Sequence, residues 1–171
     1  MLSSRKKTIL KDATFGEFAL IEYEAIDRRY PIMNFFLDLW REKGGEDKTI
    51  TRADINPLEM KKYLEHIVLM DVIRDGDNML LNVRLIGGHV ADYYGPMTGK
   101  DVREMGNAQA VERIYYAAHH IIDTDVPMLT ISPAYSTDKS FMEAVALYVP
   151  LFDKEGSVVK ILVAVNVSAV S

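Results

Sequence analysis

The stretch HIVLMDVIRDGDNMLLNVRLIGG, residues 66–88, decides the fold. Its halves, Ile67 to Arg74 and Met79 to Ile86, are dense in strand-forming apolar residues. Asp75-Gly76-Asp77-Asn78 between them has tight-turn chemistry, so the stretch reads as a β-hairpin. Centring the turn between Gly76 and Asp77 places Asp71 opposite Asn82. One face then carries Val68, Met70, Val72, Leu81, Val83 and Leu85, all apolar. The other carries Ile67, Leu69, Asp71, Ile73, Leu80, Asn82, Arg84 and Ile86. Side chains alternate along a strand, so a slip of one residue would mix the two sets. Asp71 lies diagonally across from Arg84, within reach of long side chains. Such a cluster either ties the hairpin together or turns Arg84 toward an anionic ligand or partner.

Working outward, Gly87-Gly88 ends the second strand, and His89 to Tyr94 makes a short helix stopped by Gly95-Pro96. Asn107 caps a longer helix to about Thr124, with Val111, Ile114, Tyr115, Ala118, His119 and Ile122 along its inner stripe. Three more strands follow: Val126 to about Ser136, Phe141 to Val149, and Val158 to Val167. Pro127 and Pro133 push the first of these toward a sheet edge or force bulges. In the last, Val159, Ile161, Val163, Val165 and Val167 form an unbroken apolar face, and Leu162 and Ala164 make the other partly apolar, as expected of a central strand covered on each side. Upstream, the capping box Thr14-x-x-Glu17 predicts a helix to about Arg29. Pro31 then opens a second helix, Ile32 to Lys43, with Ile32, Phe35, Phe36, Leu39 and Trp40 on one broad face and Gly44-Gly45 at its end. Pro57 opens a short helix, Leu58 to Leu64. The chain thus divides into a tail and helical arm over 1–30 and one domain over 31–171. The arm's apolar residues, Phe15 to Trp40, pack on the domain's own sheet or on a second subunit.

Composition bounds the function. At 171 residues, 49% hydrophobic and 26% charged, the chain suits one globular domain. A net charge of -5 argues against a nucleic-acid surface, and Arg5-Lys6-Lys7 is the only basic cluster. There is no cysteine, which excludes disulfides, thiolate metal sites and cysteine nucleophiles. No signal-peptide h-region and no apolar run long enough for a membrane span is present, so a cytoplasmic location is expected.

The order of elements is helices, two strands, short helices, a longer helix, then three strands. With Asp92-Tyr93-Tyr94-Gly95-Pro96-Met97-Thr98-Gly99-Lys100-Asp101-Val102-Arg103-Glu104-Met105, a small helix, a glycine stop and a glycine-basic-x-hydrophobic turn, it resembles a PAS domain. More specifically, the chain is similar to the bacterial stand-alone PAS-like family labelled PAS_5. The matching pieces are Leu37-x-x-Trp40, Arg52-Ala53-Asp54-Ile55-Asn56-Pro57, Leu64 to Val72, Arg84-Leu85-Ile86-Gly87, Thr98-Gly99-Lys100 and Val149-Pro150-Leu151. Two positions depart from the family's wording: Val83 replaces an aromatic before the arginine, and Gly88 a threonine after the glycine. The resemblance implies an α+β fold, a five-stranded antiparallel sheet with inserted helices, to which the helical arm is added. It implies a sensory or protein-docking module in bacterial signalling, often homodimeric, and supplies no catalytic residue.

Searching for chemistry yields little. Gly44-Gly45-Glu46-Asp47 mimics a diguanylate cyclase signature but follows a helix, outside the strand-turn-strand setting that signature needs. There is no Walker loop, dinucleotide fingerprint or nucleophile elbow, so no enzyme is expected. His119 and His120 point to different faces of one helix and do not chelate a metal together; no metal site is expected. In a haem-binding variant His119 would be the axial-ligand candidate, and a flavin photoadduct would need a cysteine; no cofactor is specified. If the fold carries a ligand pocket between sheet and helices, its lining is expected from Tyr93, Tyr94, Tyr115 and His119, with His89 at the edge and Arg84 as a charged candidate. Two readings stay open: a module sensing a small molecule and signalling to a partner protein, and a ligand-free dimeric adaptor with a filled core.

Overall fold

The computed structural model describes residues 7–9, 19–26, 29–47, 50–135 and 141–169. Among the described residues seven antiparallel strands form one sheet: β1 (Lys7–Ile9), β2 (Ala19–Glu22), β3 (Ile67–Asp75), β4 (Asn78–Ile86), β5 (Met128–Tyr135), β6 (Phe141–Phe152) and β7 (Val158–Ala169). Their spatial order is β1-β2-β5-β6-β7-β3-β4. Between them stand helices α1 (Pro31–Lys43), α2 (Gly88–Tyr94) and α3 (Ala108–Thr124), with short 3-10 turns, among them Lys61–His66 and Val102–Glu104. The expected five strands are all present as β5-β6-β7-β3-β4. The expected count is corrected to seven because β1 and β2 extend the sheet beyond β5.

This extension overturns the helical arm over its described part. Ala19–Glu22 is a strand paired with Met128–Ile131, and only the 3-10 turn Tyr23–Ala25 follows it. The edge of β5 offers unpaired backbone groups, and pairing with them outweighs a local helical pattern. The Thr14 capping box lies outside the described residues. Pro133 limits that edge less than expected, because β2 pairs only with the half of β5 that precedes it. Met128 to Tyr135 runs the whole length of its partnership with β6.

The hairpin keeps the expected register from Met70↔Val83 to Asp75↔Asn78. Beyond Met70 a bulge shifts it by one, so Leu69 pairs with Leu85 and Val68 with Ile86. Arg84 is the extra residue. Ile86, not Leu85, therefore joins the face of Val68 and Val83, and Leu85 is exposed. The free edge of β4 is covered by the segment after α2: Val83 N–H donates to Lys100 O (2.8 Å) and Gly99 N–H to Val83 O (2.7 Å).

β7 is the central strand its two apolar faces implied, flanked by β6 and β3. Alternation divides the sheet into two buried layers. Val145, Leu147, Val149, Leu162 and Ala164 face one way, and α1 packs against β6 and β7 with Met33, Phe36, Leu37, Leu39 and Trp40 buried. The apolar part of the arm that carries Trp40 is thus consumed by its own domain. On the opposite side Ala144, Ala146, Tyr148, Val163 and Val165 face α2 and α3. Asn107 caps α3 as expected, its side chain accepting from Ala110 N–H at 3.1 Å. The buried stripe is Ala110, Arg113, Ala117, Ala118 and Ile121, rotated about one position from the expected one. Small alanines let the helix approach the sheet, and the larger Val111, Ile114, Tyr115 and Ile122 fill its flanks, half-buried.

Candidate functional site

Between this second sheet face and the helices lies a cavity of about 70 Å3. Most of its wall is apolar: Val68 and Met70 from β3, Val83 from β4, Val163 and Val165 from β7, and Val90 from α2. Against this stand polar groups from four elements, namely Tyr94 of α2, Arg113 of α3, Thr130 and Ser132 of β5, and Tyr148 of β6. Arg113 is only 8% exposed and Tyr148 5%. Burial lowers the Arg113 pKa, and the neighbouring Tyr94 and Tyr148 oxygens act to raise it again. Both phenols are pushed above the usual tyrosine range, chiefly by burial, with Arg113 acting in the opposite direction. At neutral pH the guanidinium is therefore charged and the two phenols are not.

Of the six residues expected at a pocket, one, Tyr94, reaches this wall. Arg84 stands outside it, 61% exposed on its side chain and 3.3 Å from the Asp71 carboxylate, which also binds Lys160 of β7. Asp71 and Lys160 are directly paired across β3 and β7, a partner that hairpin reasoning missed. His119 is exposed on α3, which places the haem-ligand candidate away from the cavity. Tyr115 points to the edge of β4. Its hydroxyl donates to Asp101 (3.1 Å) and accepts from Leu81 N–H (3.1 Å), while the Arg103 guanidinium lies 4.5 Å above its ring. Burial pushes the Tyr115 pKa up to about 12, the Leu81 N–H opposes this, and the Asp101 charge adds to it.

His89 and Tyr93 meet at another junction, with ring centroids 5.6 Å apart. His66 stacks on His89 at 4.3 Å. The pair continues the hydrogen-bond ladder of β7 where β3 stops. β3 reaches only Ile67↔Ala164; beyond it His66 Nδ1–H donates to Val165 O (3.0 Å) and Val167 N–H donates to His89 Nε2 (3.0 Å). The acceptor role requires Nε2 to be unprotonated. The His89 pKa is lowered accordingly, first by burial and then by His66, with Asp92 and Glu65 opposing.

Arg113, Thr130, Ser132 and Tyr148 were missed by sequence reasoning. Arg113 alone left a signal: it sits three residues after Ala110 and four before Ala117, a charge on a small-residue stripe. The hydroxyls of Thr130 and Ser132 on β5 and of Tyr148 on β6 left none. Among the described residues no three His, Cys, Asp or Glu side chains gather to hold a metal ion, and no helix is long and apolar enough to cross a membrane.

A sequence-family model described as a PAS domain, PAS_5, matches residues 29–165. The chain belongs to the PAS-domain family. A search of curated proteins returned no match. Several solved structures are similar. A light-oxygen-voltage domain studied with a flavin analogue shares 16% identity at a TM-score of 0.46, covering 66% of this chain and 83% of its own. An RNA-binding light-oxygen-voltage receptor shares 10% at 0.46, covering 68% of this chain and 34% of its own. A PAS domain from Colwellia psychrerythraea shares 11% at 0.43, covering 65% and 96%.

Proposed function

We propose that this PAS domain is a sensory module that binds a small molecule in the cavity between sheet and helices and passes occupancy to a partner protein. The observation that carries the reading is the convergence of Arg113, Tyr94, Tyr148, Thr130 and Ser132 on a space whose remaining wall is apolar. Apolar lining with a few directing polar groups is the usual make-up of a ligand site, and a filled adaptor core has no use for a buried guanidinium there. Burying that charge costs free energy which a purely structural core avoids. The role is sensory, not catalytic, in keeping with the family. A cytoplasmic bacterial setting and a homodimer complete the proposal. In this proposal Tyr94 is the one ligand-binding residue shared with the sequence expectation, and Arg113, not Arg84, supplies the charge.

Native mass spectrometry of the purified protein, with a thermal-shift screen of small metabolites, tests the reading. Retained or stabilising small molecules support it, because binding to the folded state alone raises the melting temperature. Apoprotein throughout and no shift across the screen would hand the case to the ligand-free adaptor.

A further inference from the structure

The polar groups of the cavity are not scattered. Arg113 enters from α3, Tyr94 from α2 and Tyr148 from β6, and all three line the same cavity. Thr130 and Ser132, buried neighbours on β5, add two hydroxyls to the wall, and the Thr130 hydroxyl donates to Ala146 O at 3.5 Å. Val68, Met70, Val83, Val163 and Val165 supply an apolar region from β3, β4 and β7. A molecule that satisfies both regions has one anionic group and a short hydrocarbon tail.

Arginine narrows the anion. Its guanidinium is a planar fork of N–H donors that matches the two oxygens of a carboxylate, and the bond is strengthened where water is excluded. With five N–H donors it can keep its contacts within the fold and hold a carboxylate as well. Neutral phenols donate or accept beside such a group without competing for its charge. Size narrows the tail. The cavity of about 70 Å3 takes about five to seven water-sized groups at ~10–15 Å3 each, so its occupant has about that many non-hydrogen atoms or fewer.

We propose that the ligand is a short-chain monocarboxylate, its carboxylate held by Arg113 and its alkyl tail against the valines and Met70. The proposal rests on the sensory reading above and adds the ligand's chemical class.

The test uses the full chain, with propionate and butyrate as probes and propionamide, butyramide and 1-butanol as neutral counterparts, in calorimetry and thermal melts. The acids should bind at least tenfold more tightly than the amides and raise the melting temperature with concentration. Arg113→Met, close to isosteric in its stem, should lose at least tenfold in acid affinity while binding the amides as before. Should that variant fail to fold, Ala146→Leu gives the second arm: it fills the cavity beside an intact Arg113 and should abolish acid binding with an unchanged circular dichroism spectrum. Equal binding of acids and amides, or acid binding that survives either substitution, overturns the carboxylate assignment and leaves the sensory reading standing. If neither acids, amides, alcohol nor the wider metabolite screen binds, both fall together.

Discussion

Gly87 stands where the chain leaves β4 and enters α2, its N–H donating to Ile67 O at 2.8 Å. A Cβ there would lie 2.3 Å from Glu65 O and 2.4 Å from Leu64 O, both backbone atoms. Gly88, the first helical residue, has open space around it. Gly87→Ala should therefore cost more than ~2 kcal/mol in urea unfolding, as a substitution that must push two backbones apart. Gly88→Ala should be neutral or stabilising by up to about 1 kcal/mol, since alanine suits a helix better than glycine. At His89 the expectation concerns pH. Its folded pKa is lowered from the 6.5 of the unfolded chain, so above 6.5 its contribution to stability is complete. As pH falls from there toward the folded value, the unfolded state takes up the proton first and stability declines, then levels off below that value. His89→Gln keeps an oxygen to accept the Val167 N–H and does not titrate. Its denaturation midpoint should therefore lack this fall, which a series of urea titrations between pH 7.5 and 5 would read.

The elements differ in how much of themselves they disclose locally. Asn107→Ala should cost about 1 kcal/mol by loss of the α3 cap, measured as a shift in unfolding midpoint. That cap, the β3–β4 turn and the central place of β7 were legible because each rests on residues within one segment. The bulge at Arg84 was not. Leu85 and Ile86 are both apolar, so alternation was satisfied with or without the extra residue. Nor was β2, whose Ala-Leu-Ile-Glu suits a helix as well as a strand until the β5 edge is beside it. The candidate site was the least legible part. Hydrophobicity favoured the large side chains of α3 as its inner face, whereas the sheet admitted its alanines and turned Arg113 inward. Tyr115 looked like pocket lining, but the Asp101 carboxylate, brought close by the strap along β4, holds its hydroxyl.

For the molecule as a whole, β2 changes the role of the amino-terminal segment. Removing residues 1–26 would leave Met128–Ile131 of β5 as a bare edge, and exposed edges recruit other chains. Light scattering after size exclusion should then show more self-association, together with a lower melting temperature. A clean fall in mass to monomer would instead restore the arm as a dimerising device. The cavity has a whole-molecule consequence as well. Its wall runs from Val68 to Val165, so no contiguous segment contains it, and it takes shape only after β3 has closed onto β7 across most of the chain. Contacts of such long sequence separation form late on the folding route. An occupant should accordingly leave the refolding rate of this PAS domain unchanged and act on the other limb alone, slowing the escape from the native state.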